Sequence, residues 1–198
     1  MQAHTINYDL EKAPLRNILA YYFNLGVRHI IPDGLDHILF ISGLCLLSTK
    51  IKPIIWQATA FTVAHCITLF LSMKNIIVAP SAIIEPVIAL TILFVALENI
   101  FITKLSPWRI GIVFMFGLIH GMGFASALNE VGLPRNNFIA SLLSFNAGVE
   151  LGQLIIILLV YGLLIGPLGK KAWYRKGVVI PASIGIACVA LFWAIQRF

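Results

Sequence analysis

Ionisable side chains interrupt several long apolar runs of this sequence, and their types match those that bind metal ions. Asp36 and His37 stand at the start of the first run, within GLDHILF. His65, His120 and Glu150 lie inside later runs. Imidazole suits divalent first-row metals such as Ni²⁺, Zn²⁺ and Co²⁺, and carboxylates supply the negative charge that a dication needs on leaving water. These five residues form the predicted metal site.

The runs that hold these residues are long enough to cross a lipid bilayer. Of 198 residues, 60% are hydrophobic and only 11% are charged, whereas a soluble domain has about 25% charged residues. A bilayer core about 30 Å thick needs about 20 helical residues. We therefore predict an all-α, polytopic membrane helix bundle of about six transmembrane helices, a single transmembrane domain over 1–198. The predicted spans are 34–49, 53–73, 80–103, 107–128, 140–167 and 178–195.

The segment before the first span has an amphipathic pattern. Apolar residues recur at helical spacing from Leu15 to Val27, with Arg16 and Arg28 between and beside them. This pattern is typical of a helix that lies along the membrane interface. We predict such an interfacial helix over 13–31.

Basic residues predict the orientation and the partners of the chain. The loop GKKAWYRKG at 169–177 is the most basic one, and loops of this kind face the cytoplasm. With six spans, both termini are then outside. The net charge of +6 comes from cations scattered between apolar runs, which favours loops against anionic lipid over nucleic-acid binding. The lipid bilayer and a metal ion are the predicted partners, and a homo-oligomer is left open.

The intramembrane ionisable groups must find one another, a cavity or an ion. On insertion scales, each such group costs at least about 2.5–3.5 kcal/mol at the bilayer centre. His65 and His120 both lie about 12 Å from the ends of their spans, on the side where Asp36 begins the first span. The shared depth predicts a common site in one half of the membrane.

Further polar residues are additional candidates for this site or for the path that leads from it. Asn146 shares a helical stripe with Glu150, and Glu85 enters the third span from the side of Asp36. Glu98 lies near the opposite end of that span, where an ion would leave. The alternative for each is structural, because Asp36 could cap a helix and Asn146 could bond a neighbouring helix. The additional candidates are His29, Glu85, Glu98 and Asn146.

Several motifs in order resemble the HupE/UreJ family of small bacterial membrane proteins. They are GLDHILF, TAFTVAHCITL, VALEN, FGLIHGMGFASAL and FNAGVELGQ, and they extend over most of residues 25–160. The resemblance implies a polytopic helical protein of the bacterial inner (plasma) membrane that is tied to nickel supply for hydrogenase or urease. It also implies that the family's histidine and aspartate–histidine motif falls on His29, Asp36 and His37, and that its later signatures match His120 and Glu150.

The residues and the resemblance together favour a divalent transition-metal permease, with the ion as its substrate, over an enzyme. Two alternatives stay open at this point. Three histidines and a carboxylate could hold zinc in an intramembrane hydrolase, although the sequence lacks H-E-x-x-H. The same residues could also belong to a metal-binding accessory subunit that transports nothing.

Overall fold

The fold is a bundle of helices joined by short connections, seen in a computed structural model. It describes residues 12–198, apart from the side chains of residues 126, 129 and 135. No strand occurs in this described part of the chain, and the predicted all-α membrane fold class is confirmed. The helices are α1 (Leu15–Ile30), α2 (Leu35–Leu46), α3 (Ile51–Met73), α4 (Ser81–Phe101), α5 (Arg109–Val131), α6 (Phe138–Leu168) and α7 (Arg175–Arg197).

By length and composition, four or five of the described helices qualify as membrane spans. Four helices, α3, α4, α6 and α7, are long and apolar enough to cross a membrane. A fifth span results if α1 and α2, which meet at a bend of 67°, count together. The predicted first span holds only the 12-residue helix α2, about 18 Å long, which is too short to cross alone. The apolar part of α5, Arg109–Ala125, is also shorter than the other spans, so the count of six is not confirmed.

Helix α1 packs lengthwise against α6. Ser144 of α6 donates a hydrogen bond of 2.7 Å to the carbonyl of Leu19. Further along both helices, Gly152 lies against the side chain of Ile30. The contacts advance in the same order along both helices, so α1 runs parallel to α6. The interfacial position of segment 13–31 stays a prediction.

Candidate metal centre

Four histidines from four helices meet inside the bundle. His29 of α1, His37 of α2, His65 of α3 and His120 of α5 form this imidazole cluster. Their ring centroids lie 4.7 Å apart for His29 and His37, 6.0 Å for His37 and His65, and 5.1 Å for His37 and His120. One ligand atom from each of His29, His37 and His65 lies within 4.8 Å of the other two. With metal–nitrogen bonds of about 2.1 Å, small side-chain movements are enough for these three to share one ion.

The break between α1 and α2 places two of these rings. α1 ends at Ile30 and α2 begins at Leu35. Gly34 lies so close to the carbonyl oxygen of His29 that a Cβ at this position would overlap it. Glycine therefore permits the tight turn that brings His37, in the first turn of α2, against His29.

The close approach of α3 and α5 places the other two rings. Gly117 and Gly121 of α5 pack on the backbone of α3 at Phe61 and His65, and a Cβ at either glycine would overlap an α3 carbonyl oxygen. Small residues spaced four apart are a usual way for membrane helices to approach closely. The result is that His65 and His120 lie in the same layer of the bundle.

Most nitrogens of the cluster are left without a hydrogen bond. Five buried ring nitrogens find no hydrogen-bond partner among residues 12–198. We call these five the open ring nitrogens. A buried polar atom that lacks a partner costs free energy, and a neutral imidazole nitrogen is a good ligand for a divalent metal. They are Nε2 of His29, Nε2 of His37, Nδ1 and Nε2 of His65, and Nδ1 of His120.

The remaining ring nitrogen of His120 is held from α4. Its Nε2 lies 2.9 Å from the hydroxyl of Thr91, a buried residue of that helix. Such a partner fixes the orientation of the ring, and it leaves Nδ1 to face the other histidines or an ion. Thr91 therefore acts on the cluster through His120.

Aromatic side chains pack around the cluster. The ring of Phe124 lies 3.8 Å from that of His29 and stacks on Phe145. Phe40 and Phe61 lie 5.2 Å and 4.9 Å from the ring of His120. An apolar wall strengthens electrostatic interactions inside the site, because it lowers the local dielectric constant.

A cavity of about 330 Å³ leads from the protein surface to the cluster. Three of the four histidines, His29, His37 and His120, line it, so an ion in the cavity can reach the open ring nitrogens of these three residues. The lining also includes three carboxylates and one guanidinium, a formal charge of −2. These charged residues are Asp33, Asp36, Glu85 and Arg197.

The predicted site residues fall into two groups in the structure. His37, His65 and His120 come together, and the additional candidate His29 joins them. Asp36 and Glu85 lie in the cavity that leads to the cluster.

The other predicted residues contact different partners. Glu150 accepts a hydrogen bond of 2.7 Å from Thr59, which lies about 9 Å before His65 along α3, toward the start of that helix. Asn146 donates to the carbonyl of Leu142 in its own helix, and its side chain also lies beside His65. Glu98 forms an ion pair with Arg109 at the start of α5.

Sequence reasoning missed Thr91 and Arg197 as residues that contact the site. A threonine in an apolar run carries no local signal, because a helical threonine can donate to a carbonyl of its own helix, as Thr91 also does to Ile88. Arg197 bonds Asp36, which is 161 residues away in the chain, so no local spacing could reveal the pair.

Comparison with known proteins identifies a family. The family model described as HupE / UreJ protein matches residues 6–197, nearly the whole chain. Neither a curated protein nor a solved structure matches the chain significantly.

Proposed function

The chain belongs to the HupE/UreJ family, which is associated with nickel or cobalt uptake, and from this premise we propose that it is a permease for a divalent transition-metal ion. The observation that carries the proposal is the set of five open ring nitrogens at the end of an acidic cavity. A dication that leaves water needs both ligands and negative charge, and this region supplies the two side by side.

The proposed path begins in the cavity. Asp33, Asp36 and Glu85 attract a hydrated dication, because clefts lined by one sign of charge concentrate counter-ions. The ion then exchanges water for the nitrogens of His29, His37 and His65, with His120 as a fourth ligand. Imidazole exchanges more readily than thiolate, which suits a site that must release its ion.

The donor set supports Ni²⁺, Co²⁺ or Zn²⁺ as the substrate. A site of imidazoles without a thiolate suits these ions better than Cu⁺, and better than Mg²⁺ or Ca²⁺, which prefer oxygen. The association of the family with nickel and cobalt makes Ni²⁺ the first ion to test.

We propose that the cavity opens to the outside of a bacterial inner membrane. Arg197, at the end of α7, lines the cavity, so the cavity faces the side that holds the C-terminal end of the chain. The basic loop 169–177 lies at the opposite end of α7, and placing it in the cytoplasm puts the C-terminal end of α7 outside. An even number of spans would put the N-terminus outside as well. The ion then leaves on the cytoplasmic side.

Uptake into vesicles that contain only this protein tests the proposal. A Ni²⁺-quenched fluorophore inside the vesicles should report Ni²⁺ influx above that of protein-free vesicles. His65→Leu should abolish the influx, because it removes two open ring nitrogens at similar side-chain volume. His4→Leu is the matched control, since it makes the same chemical change at the one histidine outside the described residues.

Two outcomes would overturn the permease. Influx equal to that of protein-free vesicles, with Ni²⁺ binding retained, would favour a metal-binding accessory protein. Influx that persists in His65→Leu would show that the imidazole cluster is not the transport site.

A further inference from the structure

An ion pair lies in the wall of the cavity that leads to the imidazole cluster. Arg197 binds Asp36 with two hydrogen bonds, 3.1 Å from Nη1 to Oδ2 and 3.2 Å from Nη2 to Oδ1. Both side chains are 24% exposed and both line the cavity. The guanidinium also lies 5.1 Å from the ring centroid of Trp193. Arg197 is therefore held in place on the cavity wall.

The positions of the two residues in their helices favour this pair. Asp36 lies in the first turn of α2, and Arg197 lies in the last turn of α7. A helix dipole favours an anion at its start and a cation at its end. Asp36 therefore keeps a favourable site as a carboxylate even when Arg197 moves away.

The same carboxylate is adjacent to a member of the cluster. Asp36 directly precedes His37, whose Nε2 is an open ring nitrogen. An ion that approaches His37 through the cavity meets Asp36 while Arg197 already occupies both carboxylate oxygens. The arriving ion and the guanidinium therefore compete for one carboxylate.

We propose that Arg197 is a tethered counter-cation that selects divalent metal ions over monovalent ions at Asp36. The inference rests on the proposed metal uptake. A monovalent ion such as Na⁺ carries no more charge than the guanidinium and gains little from imidazole, so it does not displace Arg197. A divalent transition metal carries twice the charge and gains the imidazole nitrogens, so it does.

Ni²⁺ binding to the full chain in lipid nanodiscs tests this role, measured at low and at high NaCl concentration. At low NaCl, Arg197→Gln should bind Ni²⁺ about two- to fivefold more tightly than wild type, the range expected when one partly exposed ion pair no longer competes. At high NaCl, Arg197→Gln should lose most of this gain, because Na⁺ can now occupy Asp36. The wild-type protein should show a smaller salt dependence.

Three further variants locate the effect. In Asp36→Asn/Arg197→Gln the gain over Asp36→Asn should vanish, because a double-mutant cycle isolates the contact between the two residues. Arg197→Lys keeps a cation at the same place and should keep the weak salt dependence. Lys176→Gln removes a positive charge from the opposite end of α7 and should behave as wild type.

The outcomes separate this inference from the proposed function. If the wild-type protein binds no Ni²⁺, the proposed function fails. If the wild type binds Ni²⁺ and Arg197→Gln binds it with the same affinity and salt dependence, the selecting role of Arg197 is overturned while the permease stands. Weaker binding by Arg197→Gln would also overturn it, because Arg197 would then position Asp36 rather than compete for the ion.

Discussion

Two ion pairs in this protein join an arginine at a helix end to an acidic residue of another helix, but their surroundings differ. Asp36 and Arg197 lie in the cavity wall, and each side chain is 24% exposed. Glu98 lies near the end of α4 and Arg109 at the start of α5, with 2.8 Å between Oε2 and Nε. Their side chains are 9% and 1% exposed, respectively. The first pair contacts a cavity that leads to the imidazole cluster, and the second is almost enclosed by protein.

The enclosed pair belongs to a region that holds three helices together. The Nε of Arg109 in α5 donates to Glu98 of α4. Beside Glu98, Asn99 donates a hydrogen bond of 2.8 Å to the carbonyl of Gly43 in α2. A cavity of about 170 Å³ adjoins Arg109 and Gln57, which is large enough for ordered water at about 30 Å³ per molecule.

These surroundings show that a charged residue in an apolar helix is not in itself a functional site. Breaking a buried ion pair by removing one partner costs about 3–5 kcal/mol, because it leaves an uncompensated charge. An exposed pair contributes about 0–1 kcal/mol. We therefore expect the loss of one partner of the enclosed pair to destabilise the fold, whereas Asp36–Arg197 and the imidazole cluster act on the ion and contribute little to stability.

The largest expected effect is on stability, at the enclosed pair. Glu98→Gln leaves the buried guanidinium of Arg109 without a counter-charge and should lower the free energy of unfolding by about 3–5 kcal/mol. Denaturant unfolding in mixed micelles measures it. Glu98→Gln/Arg109→Met removes both charges and should recover part of the loss. An unchanged unfolding free energy in Glu98→Gln would refute the structural role of this pair.

The next largest effect is expected on Ni²⁺ binding at the imidazole cluster. His65→Leu should weaken Ni²⁺ binding by at least about 100-fold, since a tenfold change is only about 1.4 kcal/mol and a direct ligand contributes more. The unfolding free energy should stay the same or rise, because an apolar side chain replaces two buried nitrogens that have no partner in the described chain. Ni²⁺ titration and unfolding of the same sample measure both. If His65→Leu loses stability and keeps its Ni²⁺ affinity, His65 has a structural role and is not a metal ligand.

A smaller effect is expected at the residue that holds His120. Thr91→Val keeps the side-chain shape but removes the hydroxyl 2.9 Å from His120 Nε2. Loss of such a partner lowers metal affinity by about 10-fold or somewhat more, which Ni²⁺ titration measures. Thr68→Val is the matched control, because Thr68 donates only to carbonyls of its own helix. Equal affinities in the two variants would count against His120 as a ligand.

The smallest expected effect is on stability at the exposed pair. Asp36→Asn should change the unfolding free energy by only about 0–1 kcal/mol. The measurement is the same denaturant unfolding as for Glu98→Gln, so the two pairs are compared directly. A loss as large as that of Glu98→Gln would mean that the outer pair is also structural.

Much of the fold could be predicted because hydropathy and helical rise are local properties. The predicted spans 53–73 and 80–103 correspond closely to α3 (Ile51–Met73) and α4 (Ser81–Phe101). The first predicted span, 34–49, does not correspond to a helix long enough to span a membrane. The reason is that an apolar run of this length does not reveal that α1 and α2 meet at a bend of 67°. That bend depends on Gly34 and on the packing of α1 along α6.

The layer of the bundle that His65 and His120 share could be predicted in the same way, but the residues that each of them contacts could not. Counting residues from the helix ends placed His65 and His120 in one layer. Rotation of each helix about its axis decides which side chains meet, and this rotation follows from close contacts such as Gly121 against α3. It brings His29 into the cluster and places Glu150 against Thr59.

Composition, helical periodicity and motifs are properties of the chain alone, so they were enough to identify a helical membrane protein of the HupE/UreJ family with histidines in apolar helices. The convergence of four imidazoles and the ion pairs Arg197–Asp36 and Arg109–Glu98 became visible in the three-dimensional structure. The physical reason is that hydropathy fixes where a residue lies along its helix, whereas packing between helices distant in sequence fixes which residues it faces.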